Sequence, residues 1–425
     1  MRFEHLIIGN SAAGVGAVEA IRRYSDGTIG MVSEEDNPPY SRPFIGHLLT
    51  GQDTFEEILY REPDFYRKND VEFLGGERAT SLDVERRVVE LSDGRRIGFE
   101  DLLIATGGSP IMPPISGLRE CSYTFTKAGD VLAIKKRVDS GEVQTAVVLG
   151  GGLIGIAATA ALWERGVQTT VVELAPRILS SILDEDASQI VQSMLDERGV
   201  RTITSHTVGS VEGDRDSPKP LLDTGEPLDA DLFIVAIGVR PRIELVSQTP
   251  IKTDRGIMVD HRMATNIRSI YAAGDCAQIY DFVRGSNVVL ALWPTAYIGG
   301  MIAGSNMASN PVQSDWGTSM NAMSYFSQPV LSAGLYNPPD GEGGWTQVSE
   351  KRDGTYRKVV LRDGRIKGFI LIGDVDKAGV LLQLMKSAVR IKKPRDLLSP
   401  DFGYAKLPSR ERKRVWKEAG RIATP

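Results

Sequence analysis

Two glycine-rich turns carry the clearest chemical potential in the sequence, and each follows a predicted strand. The first is Gly9-Asn10-Ser11-Ala12-Ala13-Gly14, after the apolar run His5–Ile8. Gly9 permits a tight turn and Gly14 permits close packing of helix on strand, while Ser11 is small enough for a diphosphate to approach. The free N–H groups of a helix N-terminus bind such an anion. The turn therefore predicts a dinucleotide site.

The second turn, Gly150-Gly151-Gly152-Leu153-Ile154-Gly155, carries the complete G-x-G-x-x-G pattern. Glu173 stands at the end of the next predicted strand, 23 residues after Gly150. A carboxylate there accepts hydrogen bonds from the adenosine ribose and repels a 2′-phosphate, which favours NAD over NADP. The positive charge of Arg177 nearby complicates the predicted preference for NAD over NADP. Glu34 and Glu35 occupy the corresponding place after the first turn.

Three shorter strand-then-glycine segments accompany these turns. Two of them, Ala105-Thr106-Gly107 and Ala236-Ile237-Gly238, are typical of the strand that closes a nucleotide-binding unit. The third is Ala273-Gly274-Asp275. Its aspartate suits a hydrogen bond to a flavin ribitol hydroxyl, but an aspartate is also a common helix N-cap. The residues alone leave both interpretations open.

The elements around the turns alternate between strand and helix, which predicts parallel sheets covered by helices. One strand–helix–strand unit covers His5–Ile8, Ala13–Tyr24 and Ile29–Val32. A second covers Ala146–Leu149, Leu153–Arg165 and Thr169–Val172, about 140 residues later, a period too long for a repeat array. A length of 425 residues allows about three domains.

The pattern changes at about residue 320, where a β-hairpin predicts a further α+β domain. Its strands are Tyr356–Leu361 and Ile366–Ile372, joined by a turn at Asp363-Gly364. A helix-prone, basic segment from Lys406 to Arg421 follows. Such a segment either steers an acidic partner or is a solvated terminal helix.

Composition excludes several classes of function. The chain has 50 basic and 55 acidic residues, so no nucleic-acid binding is expected. Its two cysteines, Cys121 and Cys276, are too few for a disulfide framework, a four-cysteine zinc site or an iron–sulfur cluster, and no metal site is predicted.

Charge-free stretches at 145–163 and 285–314 are interrupted by Gly or Pro, so no membrane span is expected. The first residues lack a signal-peptide pattern, and a cytoplasmic location is expected.

Together with Pro39-Tyr40-Ser41-Arg42-Pro43 and the strand pair around Gly368–Gly373, these motifs resemble a known superfamily. It is that of the pyridine nucleotide–disulfide oxidoreductases, and the closer resemblance is to its disulfide-free branch. That branch contains NADH:rubredoxin and ferredoxin reductases and the flavin module of nitrite reductase. The resemblance implies an α/β fold with two Rossmann-like three-layer domains and a C-terminal α+β domain. It places a discontinuous FAD domain at 1–117 and 243–318, an NAD domain at 118–242, and the C-terminal domain with its basic tail at 319–425.

The resemblance also implies which residues contact the cofactors FAD and NAD(H). For FAD these are Gly9, Ser11, Ala12, Ala13, Gly14, Glu34, Glu35, Arg42, Pro43, Ala79, Ala105, Thr106, Gly107, Gly274, Asp275, Pro294, Thr295 and Ala296. For NAD they are Gly150, Gly152, Leu153, Ile154, Gly155, Glu173, Ile237 and Gly238. Arg42 and Ala296 are expected nearest the flavin, where Ala296 belongs to a helix whose positive end stabilises charge on reduced flavin. No acid or base of the protein is assigned.

The function implied is NADH-linked electron transfer to a ferredoxin- or rubredoxin-like iron–sulfur protein. NADH passes a hydride to flavin N5, and electrons then leave singly or flow in reverse. Two alternatives stay open: an NADH oxidase or disulfide reductase, and a slowly reduced flavin-bound signalling or scaffold module. The loop from Asn37 to Gly46 lacks the cysteine of thiol-using relatives, and Ala157 and His47 replace a glutamate and a lysine frequent in the family. A homo-oligomer, the direction of electron flow and the effect of these replacements are left open.

Overall fold

The computed structural model describes residues 1–314, 317–339, 341–352 and 354–422. Up to residue 117 the elements are β1 (Arg2–Ile8), α1 (Ala12–Tyr24), β2 (Ile29–Ser33), α2 (Ile45–Thr50), α3 (Phe65–Lys68), β3 (Val71–Gly75), β4 (Ala79–Asp83), β5 (Val88–Leu91), β6 (Arg96–Ile104) and β7 (Gly108–Pro110). Residues 118–242 contain α4 (Leu118–Cys121), β8 (Tyr123–Thr124), α5 (Ala128–Asp139), β9 (Thr145–Leu149), α6 (Leu153–Glu164), β10 (Gln168–Glu173), α7 (Glu185–Asp196), β11 (Arg201–Thr204), β12 (Val208–Gly213), β13 (Pro218–Leu222), β14 (Leu232–Val235) and β15 (Val239–Pro241).

The remaining elements fall into two groups. Between 243 and 314 lie β16 (Ile257–Met258), β17 (Ile270–Ala272), β18 (Ala277–Asp281), β19 (Ser286–Val289) and α8 (Trp293–Met307). After residue 319 follow β20 (Met320–Tyr325), β21 (Gln328–Gly334), β22 (Trp345–Arg352), β23 (Thr355–Arg362), β24 (Arg365–Ile372), α9 (Ala378–Lys386) and α10 (Ser409–Ile422). Among the described helices, none is long and apolar enough to cross a bilayer.

The first unit is built on a sheet of order β3-β2-β1-β6-β5-β4, to which β17 adds beside β6. Strands β1, β2, β3 and β17 run parallel to their neighbours, whereas β4 and β5 form an antiparallel flank. The apolar strand residues are buried on both faces, as in parallel sheets with helices on each side. Helix α8 packs closely on α1, since a Cβ on Gly300 would lie 2.0 Å from the Ala13 carbonyl oxygen. The chain after residue 243 therefore returns to the first sheet.

The second unit has an all-parallel sheet of order β11-β10-β9-β14-β8. The third has an antiparallel sheet of order β20-β21-β24-β23-β22, accompanied by α9 and α10. Two parallel-sheet units and an α+β unit confirm the predicted fold class. The expected strand-turn-helix order around Gly9 and Gly150 is also present, with α1 beginning at Ala12 and α6 at Leu153.

The units pack against each other through shared apolar cores. Leu48 and Leu49 of α2 belong to the same buried cluster as Val131 of α5 and Leu162 of α6, so the first and second units have one core between them. A different cluster joins the loop before α7 to the inner face of the third sheet. Both contacts fix the relative position of the loops that carry the predicted site.

Candidate functional site

A cavity of about 410 Å³ lies beyond the carboxyl ends of β1, β2 and β6, where ligands of open α/β sheets bind. Most of the residues predicted to contact FAD line it, namely Gly9, Ser11, Ala12, Ala13, Glu34, Glu35, Arg42, Pro43, Ala79, Ala105, Thr106, Gly107, Gly274, Asp275 and Ala296. Three do not. Gly14 lies behind the turn, Pro294 is exposed, and Thr295 lines a small separate cavity beside α8.

The turn at the start of α1 has the shape that a pyrophosphate requires. Gly9 adopts a φ of +124°, and a Cβ there would lie 2.1 Å from the carbonyl oxygen of Ala105. A Cβ on Gly14 would lie 2.0 Å from the Gly9 carbonyl oxygen. Ser11 occupies the N-cap but makes no side-chain capping hydrogen bond, so the N–H groups of the first turn remain for a ligand. The cradle fits a dinucleotide phosphate.

Asp275 supplies a second feature that fits FAD. Its carboxylate lines the cavity, and no donor among the described residues bonds to it. Burial raises the pKa of this carboxyl, and the nearby charge of Arg42 opposes that effect. A half-buried carboxylate without a protein donor needs a partner, and ribitol hydroxyls would supply one.

Arg42, predicted to lie near the flavin, is held by one group from each of two units. Its guanidinium contacts Glu35 Oε1 at 2.5 Å and donates to the carbonyl of Thr126 at 2.8 Å. The other carboxylate oxygen of Glu35 accepts a hydrogen bond from Tyr40 at 2.7 Å. Burial opposes ionisation of Glu35, but Arg42 and Tyr40 outweigh it and hold the pKa of that carboxyl below its ordinary value. Glu35 thereby orients Arg42 at the cavity wall.

Glu34 lies beside Glu35 but meets a different set of cations. Its Oε2 is 2.9 Å from a terminal nitrogen of Arg242 and 3.3 Å from Nζ of Lys127, and its Oε1 is 3.5 Å from Nε of Arg78. All three cations line the cavity, and sequence reasoning missed them. Burial opposes ionisation of Glu34 as well, yet the bonds from Arg242 and Lys127 lower the pKa of its carboxyl. This end of the cavity is therefore strongly polar.

The start of α8 closes another side of the cavity. Proline follows Trp293 in the first turn, and both Trp293 and Ala296 line the cavity. The indole of Trp293 packs edge-on against Tyr60 with ring centroids 4.2 Å apart, and its buried Nε1 has no hydrogen-bond partner among the described residues. The first turn of α8, which is the positive end of the helix dipole, thus faces the space where a flavin is predicted.

The second glycine turn stands at the carboxyl end of β9. Gly150 has a φ of +114°, and a Cβ there would lie 2.5 Å from the Ala236 carbonyl oxygen and 3.0 Å from the Ile237 nitrogen. Gly155 packs as Gly14 does, because its Cβ would lie 1.8 Å from the Gly150 carbonyl oxygen. Gly152 caps α6 without a side chain, and Gly238, with a φ of +115°, follows Ile237 at the end of β14.

Glu173 is anchored to this turn. Its Oε2 accepts a hydrogen bond from the Gly151 N–H at 2.6 Å, and its Oε1 accepts one from the Ala175 N–H at 2.7 Å. Leu153 and Ile154 begin α6, and Ile154 also lines the large cavity of the first unit. The predicted NAD residues are thus gathered at one turn, and one of them reaches the predicted FAD cavity.

Two positions differ from the pattern frequent among relatives. Ala157 is exposed on α6, and His47 pairs with Asp53 through Nδ1 and Oδ2 at 2.6 Å. His47, at the position of the frequent lysine, therefore has a carboxylate partner within its own unit. Ala157, at the position of the frequent glutamate, has no carboxylate, so both members of the glutamate–lysine pair are replaced.

Neither cysteine faces the cavity. Cys121 is buried with its thiol 3.3 Å from the Gly213 carbonyl oxygen, and Cys276 is buried against the carbonyl oxygens of Ile104 and Ala273. Burial raises the pKa of both thiols. A nucleophilic or redox-active thiol needs thiolate character and access, and both groups lack them.

Two units rich in parallel strands, each with a glycine turn at a helix N-terminus, are the arrangement expected of a protein that binds two dinucleotides. A family model described as Pyridine nucleotide-disulphide oxidoreductase matches residues 3–300. A second, described as Rubredoxin NAD+ reductase C-terminal domain, matches residues 320–389. The chain belongs to the pyridine nucleotide-disulphide oxidoreductase family, whose members use FAD and NAD(H). The predicted family, enzyme class and cofactors are confirmed.

Individual relatives agree with this assignment. The chain is 32% identical over 385 residues to the NADH-dependent phenylglyoxylate dehydrogenase subunit epsilon of Aromatoleum evansii, covering 90% of this chain and 91% of that protein. It is 29% identical over 91% of its length to Nitrite reductase [NAD(P)H] of Bacillus subtilis, but spans only 47% of that protein. The crystal structure of NADH:rubredoxin oxidoreductase from Clostridium acetobutylicum superposes with a TM-score of 0.76 at 25% identity, covering 92% of this chain and 97% of that one.

Proposed function

We propose that the chain is an NADH-linked flavoprotein reductase that transfers electrons between NAD(H) and an iron–sulfur protein of the ferredoxin or rubredoxin type. One observation carries the proposal. Ile154 follows directly on the NAD turn in α6, yet its side chain lines the cavity predicted to hold FAD. The two dinucleotide sites therefore meet at one wall, as hydride transfer between bound cofactors requires.

FAD, when bound, would supply the hydride-accepting and one-electron chemistry that no side chain supplies. The residues of the chain position the two cofactors and stabilise the charge on them. The Gly9 and Gly150 turns would hold the two pyrophosphates at helix N-termini, and Asp275 would hold the ribitol. Arg42, oriented by Glu35, presents a fixed positive charge to the cavity, and the first turn of α8 adds a second.

Three observations support an iron–sulfur protein as the electron acceptor. The C-terminal unit matches the corresponding domain of rubredoxin NAD+ reductase, and a solved relative is named for the same reaction. Both cysteines are buried away from the cavity, which disfavours a disulfide as the electron acceptor. Arg410, Arg412 and Lys413 are exposed on α10, where a positive surface would attract an acidic partner.

We also propose that the unit boundaries are those expected from sequence: 1–117 with 243–318 for FAD, 118–242 for NAD, and 319–425 for the C-terminal domain. Residues 315, 316, 340, 353 and 423–425 lie outside the described residues. The return of β17 and α8 to the first sheet supports the discontinuous first domain.

Anaerobic stopped-flow reduction of the flavin-loaded chain tests the function. NADH is expected to bleach the visible flavin band rapidly and NADPH slowly, because Glu173 disfavours a 2′-phosphate. Mixing the reduced protein with oxidised rubredoxin, ferredoxin or oxygen then identifies the acceptor. Fast reoxidation by an iron–sulfur protein supports the proposal. No bleaching by either coenzyme, or reoxidation by oxygen alone, would contradict it.

A further inference from the structure

The loop of residues 174–184, between β10 and α7, is bonded directly to the NAD turn. The N–H of Leu179 donates to the carbonyl oxygen of Gly151 at 2.8 Å. Cγ2 of Ile178 lies 3.0 Å from where a Cβ on Gly151 would stand, so the loop packs flat against that glycine. At its start, Ala175 donates to the Glu173 carboxylate. A displacement of this loop would therefore displace both the turn and the Glu173 carboxylate, which is predicted to bind the ribose.

The other side of the loop is held by the third unit. The hydroxyl of Tyr336 donates to the carbonyl oxygen of Ser181, and Nδ2 of Asn337 lies 3.4 Å from the carbonyl oxygen of Leu183. Apolar loop residues, among them Leu179, are buried in the same core as side chains of β20, β23 and β24. Third-unit side chains thus contact the loop over its second half, residues 178–184.

Asp184 closes the loop with a buried ionic contact. Its Oδ2 accepts from the hydroxyl of Tyr356 at 2.7 Å and from Nζ of Lys358 at 2.9 Å, both on β23. Its Oδ1 caps α7 by accepting from the Ala187 N–H at 3.0 Å. The exposed fractions of Asp184, Tyr356 and Lys358 are 9%, 2% and 7%, so the charges meet away from water.

Such a contact specifies geometry more than it adds stability. A buried ion pair recovers little more than its own desolvation cost, but removal of one partner leaves the other charge buried and unpaired. Burial, with the adjacent Asp184 carboxylate, raises the pKa of Tyr356, so its hydroxyl keeps its proton and remains a donor. Asp184 therefore has one strongly preferred position relative to β23.

We propose that Lys358 and Tyr356 are positioning residues for the coenzyme. Through Asp184 they hold the loop of residues 174–184 against Gly151, and the C-terminal unit thereby sets the affinity of the second unit for the adenosine half of NAD(H). The identity of the ligand rests on the proposed function, whereas the coupling of loop and third unit rests on the contacts alone.

The chain contains a matched control on the same strand. Arg357 lies between the two positioning residues, and its side chain points to the opposite face of the sheet, as strand alternation requires. There it pairs with Asp374 and donates to the carbonyl oxygen of Leu398 at 2.8 Å, all within the third unit. Arg357→Met removes a largely buried cation without touching the loop.

The test uses the flavin-loaded full chain carrying Lys358→Met, Tyr356→Phe or Arg357→Met. For Lys358→Met we expect the Kd of NAD+ by calorimetry and the KM of NADH to rise roughly fivefold or more, with kcat at saturating NADH changed less than about twofold. Amide hydrogen exchange in residues 174–184 should accelerate without any coenzyme present. Tyr356→Phe, which deletes one hydroxyl, should shift each quantity in the same direction by less. Arg357→Met should leave the Kd, the KM, kcat and the exchange rate near wild type.

Unchanged affinity and unchanged loop exchange in Lys358→Met would overturn the proposal. Equal losses in Lys358→Met and Arg357→Met would also overturn it, because they would mark general destabilisation of the third unit. If Lys358→Met does not fold, Tyr356→Phe carries the same comparison. The exchange measurement needs neither NADH nor turnover, so failure of the proposed function, seen as a wild-type flavin that NADH does not bleach, is distinguishable from failure of this inference.

Discussion

The guanidinium of Arg42 lies 2.5 Å from Oε1 of Glu35, and this ion pair sits where the first and second units meet at the wall of the cavity. The same guanidinium bonds the carbonyl of Thr126 in the second unit. One side chain thus serves the predicted flavin site and the junction between units.

Arg42→Met should weaken FAD retention roughly tenfold or more, because a charge-assisted contact is lost and the half-buried Glu35 is left without this cation. The ratio of flavin to protein absorbance after dialysis measures this. Arg61→Met is a suitable control, since Arg61 also pairs with a glutamate, Glu19, but outside the cavity. Equal flavin retention in both variants would refute the role of Arg42.

The Glu35 carboxyl should make stability depend on pH. Its pKa is lowered in the folded protein, so its ionic contribution is present above the unfolded pKa of about 4.5 and is lost as the pH falls through the lower folded value. Glu35→Gln should therefore destabilise the protein at neutral pH, and the difference in Tm from wild type should shrink as the pH falls below about 4.5. A difference in Tm that grows on acidification would contradict this sign.

Gly150→Ala should abolish rapid reduction by NADH while FAD stays bound. The new methyl group would meet the Ala236 carbonyl oxygen at 2.5 Å in a backbone conformation that side chains rarely adopt. Gly166→Ala provides the control, because Gly166 also has a positive φ, +75°, but has open space around it near the far end of α6. Stopped-flow reduction together with flavin content distinguishes the two variants. Similar reduction rates in both would show that the turn is not the coenzyme site.

Glu173→Gln should raise the KM of NADH roughly tenfold and reduce the preference over NADPH. An amide can accept from only one of the two N–H groups that the carboxylate now satisfies, and the negative charge that repels a 2′-phosphate is gone. Steady-state kinetics with both coenzymes measure the change. Glu164→Gln, at an exposed carboxylate at the end of α6, should have no effect. An unaltered coenzyme preference in Glu173→Gln would count against the assignment.

The double variant Cys121→Ser/Cys276→Ser should turn over within about twofold of wild type. Both thiols are buried and their pKa values are raised, so neither supplies a thiolate at neutral pH. The absorption spectrum of the reduced protein should likewise show no thiolate–flavin charge-transfer band in either form. Loss of turnover with retained flavin would favour the disulfide reductase alternative.

The turns, their strands and the carboxylates after them could be predicted because their residues are contiguous and each has a local physical signature. Gly9 and Gly150 are required by the turn itself, and both lie where the pattern placed them. The cations around Glu34 have no such signature. Lys127 and Arg242 reach it from 93 and 208 residues away, so only the folded chain brings them together.

The contact of Asp184 with Lys358 was hidden for the same reason. An aspartate before a helix predicts an N-cap, and Asp184 is one. No local pattern indicates that it also bonds a lysine 174 residues further along the chain. The predicted helix start at Trp293-Pro294 was local and is present, whereas the position of Thr295 outside the cavity depends on how α8 is rotated against its neighbours.

The core that Leu48 and Leu49 share with Val131 and Leu162 has a consequence for how the molecule melts. Residues 118–242 form a continuous stretch of chain, but cutting them out would leave one apolar wall facing water. The cooperative unit of unfolding is therefore larger than the unit that binds one coenzyme. Calorimetry of the intact chain should accordingly show the first two units unfolding in one transition. Removal of either ligand should lower the midpoint temperature of that shared transition.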